Sequence, residues 1–162
     1  MKKILLFFAL MIIFSSAIFA QDKTTRKIYL WDVTLSMKGY ENGTYYTNDP
    51  SKNIYDNVLE WLVRDIKKVT DPQTEIYVFP FADKIVDTIK ILNSGQKELI
   101  DLEKKLRKFE FKDVTTTYIS GPLNIVHEKY INSNRYNDVV VLTDGEQNYY
   151  KVKFMILSCI ML

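Results

Sequence analysis

Three short clusters of oxygen-bearing side chains in this sequence could together form one binding site. In chain order they are the alternating Asp32, Thr34 and Ser36, the three threonines at 115–117, and Asp144. Residues two apart can point the same way in an extended turn, so the first cluster can present one carboxylate and two hydroxyls to a common point. Together the clusters predict a site built from two acids and three hydroxyls.

A site of this kind suits a hard divalent cation. Mg²⁺ prefers oxygen ligands and keeps some of its waters, and Mn²⁺ and Ca²⁺ are alternatives for the same donors. Zinc would ask for histidine or cysteine, and the single histidine, His127, and the single cysteine, Cys159, lie far from these clusters in the sequence. Because hydroxyl ligands are neutral, the cation would stay electrophilic and could accept a carboxylate from a partner.

Short strands alternating with helices are expected to hold these clusters. Apolar runs predict strands at 27–32, 75–80, 84–91 and 138–143, with the second and third pairing as an antiparallel hairpin. This alternation predicts an α/β fold, with a mostly parallel sheet and helices on both faces. Ligands of such sheets bind at the carboxyl ends of the strands, where Asp32 and Asp144 are expected.

Three helices are predicted from apolar side chains that recur every three to four residues. The first covers 51–69, with Asp49 as its N-cap. The second has Asn93 and Gln96 at capping-box spacing. One face of this second helix carries Leu99, Leu102, Leu106 and Phe109. The third covers 118–132 and contains His127, which is expected to be structural or at the surface.

Composition favours one globular domain. The chain has 162 residues, of which 47% are hydrophobic and 26% charged, and this argues against disordered and fibrous classes. Its 22 basic and 20 acidic residues give a net charge of +2. Lys2 and Lys3 lie in a predicted export segment, so the mature chain is expected to be nearly neutral. Nucleic acids and anionic membranes are therefore disfavoured as partners.

The first residues have the pattern of a secretory signal. Residues 1–20 run from two lysines through an apolar stretch to small residues ending at Ala20, which predicts cleavage before Gln21 and a periplasmic or extracellular location. The alternative is an uncleaved membrane anchor. Ser15 and Ser16 interrupt the apolar run before the roughly 18 residues that a membrane span requires, so cleavage is favoured.

The three clusters resemble the metal-ion-dependent adhesion site of the von Willebrand factor type A family. The family pattern is Asp-x-Ser-x-Ser after the first strand, a threonine before a helix, and an aspartate after the fourth strand. Here the first element has Thr34 in place of the usual serine. The second element matches at Thr117, with Leu123 at the usual apolar position and Thr116 as the fallback. The third matches at Asp144.

The resemblance covers roughly 27–148 and implies a three-layer, Rossmann-like α/β fold with a six-stranded sheet. It implies a secreted, adhesion-type module that binds an acidic group on a protein or surface ligand, rather than an enzyme. Its Mg²⁺ would be held by Asp32, Thr34, Ser36, Thr117 and Asp144.

The expected organisation is a signal at 1–20, a linker at 21–26, the domain at 27–150 and an apolar tail at 151–162. The family continues for two more strands after its last aspartate. The tail is therefore either a replacement edge strand or the end of a shortened or frame-disrupted gene. It is too short to span a bilayer. Its lone Cys159 cannot form an intramolecular disulfide and is expected to be a small buried residue.

Tyrosines flank the predicted metal face. Several lie in the polar stretch 38–49 or follow the last aspartate: Tyr40, Tyr45, Tyr46, Tyr149 and Tyr150. Tyrosine is enriched at binding hot spots, so Tyr40, Tyr45, Tyr46 and Tyr149 are candidates for partner contacts. An equally good alternative is that these tyrosines are half-buried and only contribute to packing.

The haloacid dehalogenase superfamily is the second family with a similar pattern. There too a strand-end aspartate is followed two residues later by aspartate or threonine, and a later aspartate holds Mg²⁺. This alternative makes Asp32 the nucleophile of a phosphoryl-transfer enzyme. Against it, Leu35 stands where a glycine is common, and no clear lysine motif precedes Asp144.

Overall fold

The computed structural model describes residues 25–92, 95–110, 114–131, 135–144 and 158–159. The predicted signal at 1–20, the capping residue Asn93, and Tyr149 and Tyr150 lie outside the described residues.

Seven strands and three helices form the described part of the chain. The strands are β1 (Thr25–Asp32), β2 (Tyr40–Glu41), β3 (Thr44–Tyr45), β4 (Glu75–Phe81), β5 (Ile89–Ile91), β6 (Tyr136–Leu142) and β7 (Ser158–Cys159). The helices are α1 (Tyr55–Lys67), α2 (Gln96–Arg107) and α3 (Ser120–Lys129). None of these three helices has the length and apolar composition needed to cross a membrane.

Five of the strands form one sheet in the order β5-β4-β1-β6-β7. β1 runs parallel to β4 and β6, β7 runs parallel to β6, and β5 is antiparallel to β4. The register pairs Asp32 with Phe81 and Trp31 with Leu142, so the carboxyl ends of the three central strands lie side by side. The predicted mostly parallel sheet with one antiparallel hairpin is confirmed.

The sheet is covered on both faces, and side chains of β1 alternate between two cores. Tyr29 and Trp31 pack with α1 and α2 on one face, and Ile28 and Leu30 pack with α3 on the other. All four are fully buried, which explains why the strand reads as a continuous apolar run. The predicted three-layer α/β fold is confirmed.

The start of α1 differs from the prediction. Asp49 is not its N-cap, because the Asp49 carboxylate accepts the backbone N–H of Ser51 at 2.9 Å and the Ser51 hydroxyl at 2.6 Å in a separate turn. The first N–H groups of the helical segment, those of Ile54 and Tyr55, donate instead to the carbonyl of Met37 at 3.0 and 2.9 Å. The helix is therefore anchored to the loop that follows β1.

Other boundaries also differ by a few residues. β1 begins at Thr25, inside the stretch expected to be a linker. β5 begins at Ile89 rather than at residue 84, because the backbone turns after β4: the N–H of Ala82 donates to the carbonyl of Lys84 at 3.0 Å. α2 has Gly95 as its N-cap, without a side-chain hydrogen bond.

The apolar tail contributes one described element. β7 pairs in parallel with β6 through Val140–Ser158 and Val141–Cys159. The side chain of Cys159 lies outside the described residues, so its burial stays a prediction.

A partly buried carboxylate joins β1 to α1. Asp65 accepts the Tyr29 hydroxyl at 2.7 Å, and the Lys27 ammonium lies 3.3 Å from the same oxygen. Burial tends to raise the pKa of Asp65, but the hydrogen bond from Tyr29 and the charges of Lys27 and Lys68 outweigh it, so this pKa lies below its usual value. The ionised carboxylate therefore stabilises the fold.

Asp65→Asn is expected to lower the free energy of unfolding at pH 7 by about 1.5 kcal/mol, as for loss of a hydrogen bond to a charged group. Because the folded pKa is depressed, this stabilisation is present above the unfolded pKa of about 4 and is lost as the pH falls through the folded value. Urea unfolding at neutral and acidic pH should show the difference between the two proteins shrinking in acid. Asp101→Asn, at an exposed helical site, is the control, and a difference independent of pH would contradict this account.

Candidate metal centre

The loop after β1 aligns alternate side chains because its backbone is held on two sides. The N–H of Val33 donates to the carbonyl of Phe81 at 2.9 Å, and the N–H of Leu35 donates to the carbonyl of Val114 at 2.8 Å. The first bond ties the loop to the end of β4, and the second ties it to the segment before α3. Val33 and Leu35 are buried, and the residues between and beside them carry the carboxylate and hydroxyls.

Three hydroxyls converge at this point. Thr34 Oγ1 lies 3.0 Å from Ser36 Oγ and 3.1 Å from Thr117 Oγ1, although Thr117 is 83 positions away in the chain. Thr34 also donates its hydroxyl proton to Asp32 Oδ1 at 2.7 Å. Because a threonine hydroxyl has one proton, Thr34 can only accept in its contacts with the other two hydroxyls.

Asp32 lies behind the hydroxyls and is fully buried. Its Oδ1 accepts the Thr34 N–H at 3.0 Å, and its Oδ2 accepts the Thr143 hydroxyl at 2.8 Å. Burial raises the pKa of Asp32, the hydrogen bonds from Thr34 and Thr143 partly offset this, and the charge of Asp144 raises the pKa further. The site thus holds a carboxylate in surroundings that disfavour its negative charge, with a second acid close by.

Asp144 and Thr117 come from the other two clusters of the sequence. Asp144 follows β6 and, with Ser36 and Thr115, lines an open depression of about 500 Å³. Thr117 is 3% exposed, whereas Thr115 and Thr116 are exposed. Of the three threonines, Thr117 is the one whose hydroxyl contacts Thr34.

This donor set fits a hard divalent cation. Two neighbouring ligands of a six-coordinate Mg²⁺, each at about 2.0–2.1 Å from the ion, lie about 3 Å apart, and the hydroxyl separations from Thr34 are 3.0 and 3.1 Å. A cation would also relieve the unfavourable charge of the two neighbouring acids. Within the described ranges, histidine, cysteine and acidic side chains form no group of three or more that could hold a metal ion. The hydroxyls of Thr34, Ser36 and Thr117 are the further side-chain donors that lie together here.

A hairpin stands beside the site. Strands β2 and β3 are joined by Asn42 and Gly43, whose φ angles are +49° and +84°, as in a two-residue hairpin turn. The rings of Tyr40 and Tyr45 lie 4.8 Å apart across the two strands, and Tyr45 is 53% exposed. We call residues 40–45 the tyrosine hairpin.

Sequence reasoning missed two parts of this arrangement. Asn42-Gly43 between tyrosines is a strong hairpin signal, but no hairpin was predicted within the polar stretch 38–49. Thr143 was not expected to contact Asp32, and its position between β6 and Asp144 was the available signal.

Comparisons with known proteins find similarity among solved structures only. No protein-family profile and no curated protein matches the chain. A structure of proximal thread matrix protein 1 from the mussel byssus superposes with a TM-score of 0.58 at 19% identity, over 80% of this chain and 31% of that protein. Another structure of that protein, with a zinc-occupied MIDAS motif, gives 0.56 at 17% identity over 78% and 30%.

The protein BatB from Bacteroides thetaiotaomicron superposes with a TM-score of 0.51 at 15% identity, over 76% of this chain and 55% of that one. The chain thus spans about a third of the mussel protein and little more than half of BatB. At these identities the likeness concerns the fold. Together with the mostly parallel sheet flanked by helices, these superpositions show that the chain has the α/β fold of a von Willebrand factor type A-like domain.

Proposed function

We propose that this chain is a divalent-cation-dependent, adhesion-type protein-binding module. Mg²⁺ would be held by Asp32, Thr34, Ser36, Thr117 and Asp144, and an acidic group of a partner protein would complete its coordination. The observation that carries the proposal is the convergence of three hydroxyls, from loops 83 residues apart, on one point beside a buried carboxylate. The cation would supply an electrophilic centre for the partner's carboxylate.

The roles of the residues follow from their placement. Thr34, Ser36 and Thr117 offer neutral oxygens, which leave the cation most of its charge. Asp32 supplies negative charge and, by accepting the hydrogen bond from the Thr34 hydroxyl, orients the lone pairs of that oxygen toward Ser36 and Thr117. Asp144 adds the second charge at the rim of the depression, next to the solvent from which a partner would approach.

The relatives support the proposal in two respects. The zinc-occupied MIDAS motif in the mussel protein is a precedent for a divalent cation on this fold. That protein is a byssal thread matrix protein, which accords with the export that the signal-like residues 1–20 predict. We propose that the mature chain acts outside the cytoplasm.

A phosphoryl-transfer role suits Asp32 less well. A nucleophilic carboxylate must reach a phosphorus atom, but Asp32 is fully buried and both of its oxygens accept hydrogen bonds from Thr34 and Thr143. Hydrolysis of p-nitrophenyl phosphate in Mg²⁺, abolished by Asp32→Asn, would favour this alternative over the binding module.

The proposal is tested by removing the cation. The purified chain is treated with EDTA, and thermal unfolding is followed as MgCl₂ is added back. We expect the midpoint of unfolding to rise with Mg²⁺ concentration, since a ligand that binds only the folded state stabilises it. A fluorescent peptide with one glutamate should bind in Mg²⁺ and not in EDTA. The proposal is ruled out if neither the midpoint of unfolding nor the binding of the peptide depends on Mg²⁺.

A further inference from the structure

The depression beside the candidate metal centre has a second wall. Ser36 and Asp144 line it on the metal side, and Glu41 and Lys52 line it on the side of the tyrosine hairpin. Among the described residues that line the depression, Lys52 is the only basic one. The same open space is therefore bordered by two of the candidate ligands, Ser36 and Asp144, and by a basic side chain.

Lys52 is positioned by two neighbours. Its ammonium lies 2.5 Å from a carboxylate oxygen of Glu41 and 3.9 Å from the centre of the Tyr46 ring. The contact with the ring keeps the ammonium at the depression because a cation is attracted to the face of an aromatic ring. Glu41 occupies the position in which an acidic group of a partner would meet Lys52.

The backbone holds this wall in place. The N–H of Gly39 donates to the carbonyl of Ser36 at 2.7 Å, and the N–H of Tyr46 donates to the carbonyl of Gly39 at 2.8 Å. Gly39 has a φ of +78°, and a Cβ there would lie 3.0 Å from the Tyr46 carbonyl oxygen. The tyrosine hairpin is thus closely joined to the loop that carries Ser36.

The Glu41–Lys52 pair is exchangeable because it is exposed. The two side chains are 49% and 37% exposed, and ion pairs at such positions are weak and screened by salt. An acidic group from outside could replace Glu41 at little cost.

We propose that the partner binds through an acidic segment with two acidic side chains, one meeting the bound cation and the other replacing Glu41 at Lys52. The proposal rests on the proposed function, because the first acid is the one that completes the cation's coordination. Lys52 then favours diacidic segments, and Glu41 competes with them.

The test compares fluorescent peptides with two glutamates, separated by one or by three glycines, with peptides in which one glutamate is replaced by glutamine. Binding is measured by anisotropy in Mg²⁺ at low salt. At one of the two separations the diacidic peptide should bind up to about fivefold more tightly, the scale of an exposed ion pair. This preference should disappear at high salt.

Variants of the pair give opposite expectations. Lys52→Gln should remove the preference for two acids, while Glu41→Gln should strengthen diacidic binding by about two- to fivefold. Lys97→Gln, which removes one positive charge from the exposed face of α2, is the matched control and should change nothing. If the ion pair acted only by stabilising the hairpin, both variants of the pair would weaken binding together, and that result overturns the inference.

The remaining outcomes separate the two proposals. Mg²⁺-dependent binding of all peptides without a preference for two acids overturns the role of Lys52 and leaves the proposed function standing. If no peptide binds in Mg²⁺, the proposed function fails and this inference fails with it.

Discussion

Asp32→Asn is expected to abolish the stabilisation of this protein by Mg²⁺ while leaving the fold intact. Asparagine has the shape of aspartate and keeps one acceptor for the Thr34 N–H and hydroxyl, which donate to Oδ1. It lacks the charge that a cation requires. Wild type should gain about 2.7 kcal/mol when Mg²⁺ is present at about 100 times its dissociation constant, and the variant should gain nothing.

In EDTA the two proteins should differ by no more than about 1 kcal/mol. The variant loses a good acceptor for the Thr143 hydroxyl, but it also loses a buried charge whose pKa is raised by burial and by Asp144, and these effects oppose each other. Asp32→Ala should lower the free energy of unfolding in EDTA more than Asp32→Asn does, because each buried donor left without an acceptor costs about 1–3 kcal/mol.

Urea unfolding in EDTA measures the difference in stability between the two proteins, and urea unfolding in Mg²⁺ measures how much the cation stabilises each of them. Isothermal titration calorimetry measures the affinity for Mg²⁺ directly. Asp87→Asn, at an exposed site lining a different surface depression, is the matched control and should keep the full response to Mg²⁺. An Asp32→Asn protein that Mg²⁺ still stabilises like wild type would show that this carboxylate takes no part in binding the cation.

Thr117→Val is expected to weaken Mg²⁺ binding by roughly 10- to 100-fold or more, because removing even a group that only hydrogen-bonds to a metal ligand costs that much. Valine has nearly the volume of threonine, so the 3% exposed site stays filled. The hydroxyl 3.1 Å from Thr34 Oγ1 is lost. Because the volume is preserved, the free energy of unfolding in EDTA should change by no more than about 1 kcal/mol.

Two variants sharpen this experiment. Thr117→Ser keeps the hydroxyl and should restore most of the affinity. Thr116→Val makes the same chemical change at the neighbouring exposed residue and should have little effect. Calorimetric titration with MgCl₂ distinguishes them. A larger loss in Thr116→Val than in Thr117→Val would mean that the wrong threonine has been assigned to the site.

The strands and the apolar faces of the helices were predictable because buried positions are occupied by apolar residues that recur at a fixed spacing in the sequence. β1 is apolar on both faces because α1 and α2 cover one side and α3 the other. In α2, Leu102 and Leu106 recur at helical spacing and are buried together. These patterns depend on local geometry, which repeats at fixed spacing along the chain.

Boundaries were less predictable because a polar side chain can be satisfied in more than one way. Asp49 is as good an N-cap as a turn residue. The turn prevails because Met37, from the preceding loop, supplies the acceptor for the first N–H groups at α1. The tertiary structure brings the Met37 carbonyl to this position, and the residues around Asp49 do not predict it.

The α/β class, the identity of the oxygen-bearing side chains and their order along the chain follow from residue types and their periodicity. Which of these side chains meet depends on how distant segments of the chain pack together. The Thr117 hydroxyl reaches that of Thr34, the Thr143 hydroxyl donates to Asp32 Oδ2, and Glu41 of the tyrosine hairpin pairs with Lys52 at the depression that Ser36 also lines. The reason is that residue type and periodicity are local properties of the chain. The register of parallel strands and the hydrogen bonds between loops determine which distant atoms come within hydrogen-bonding distance.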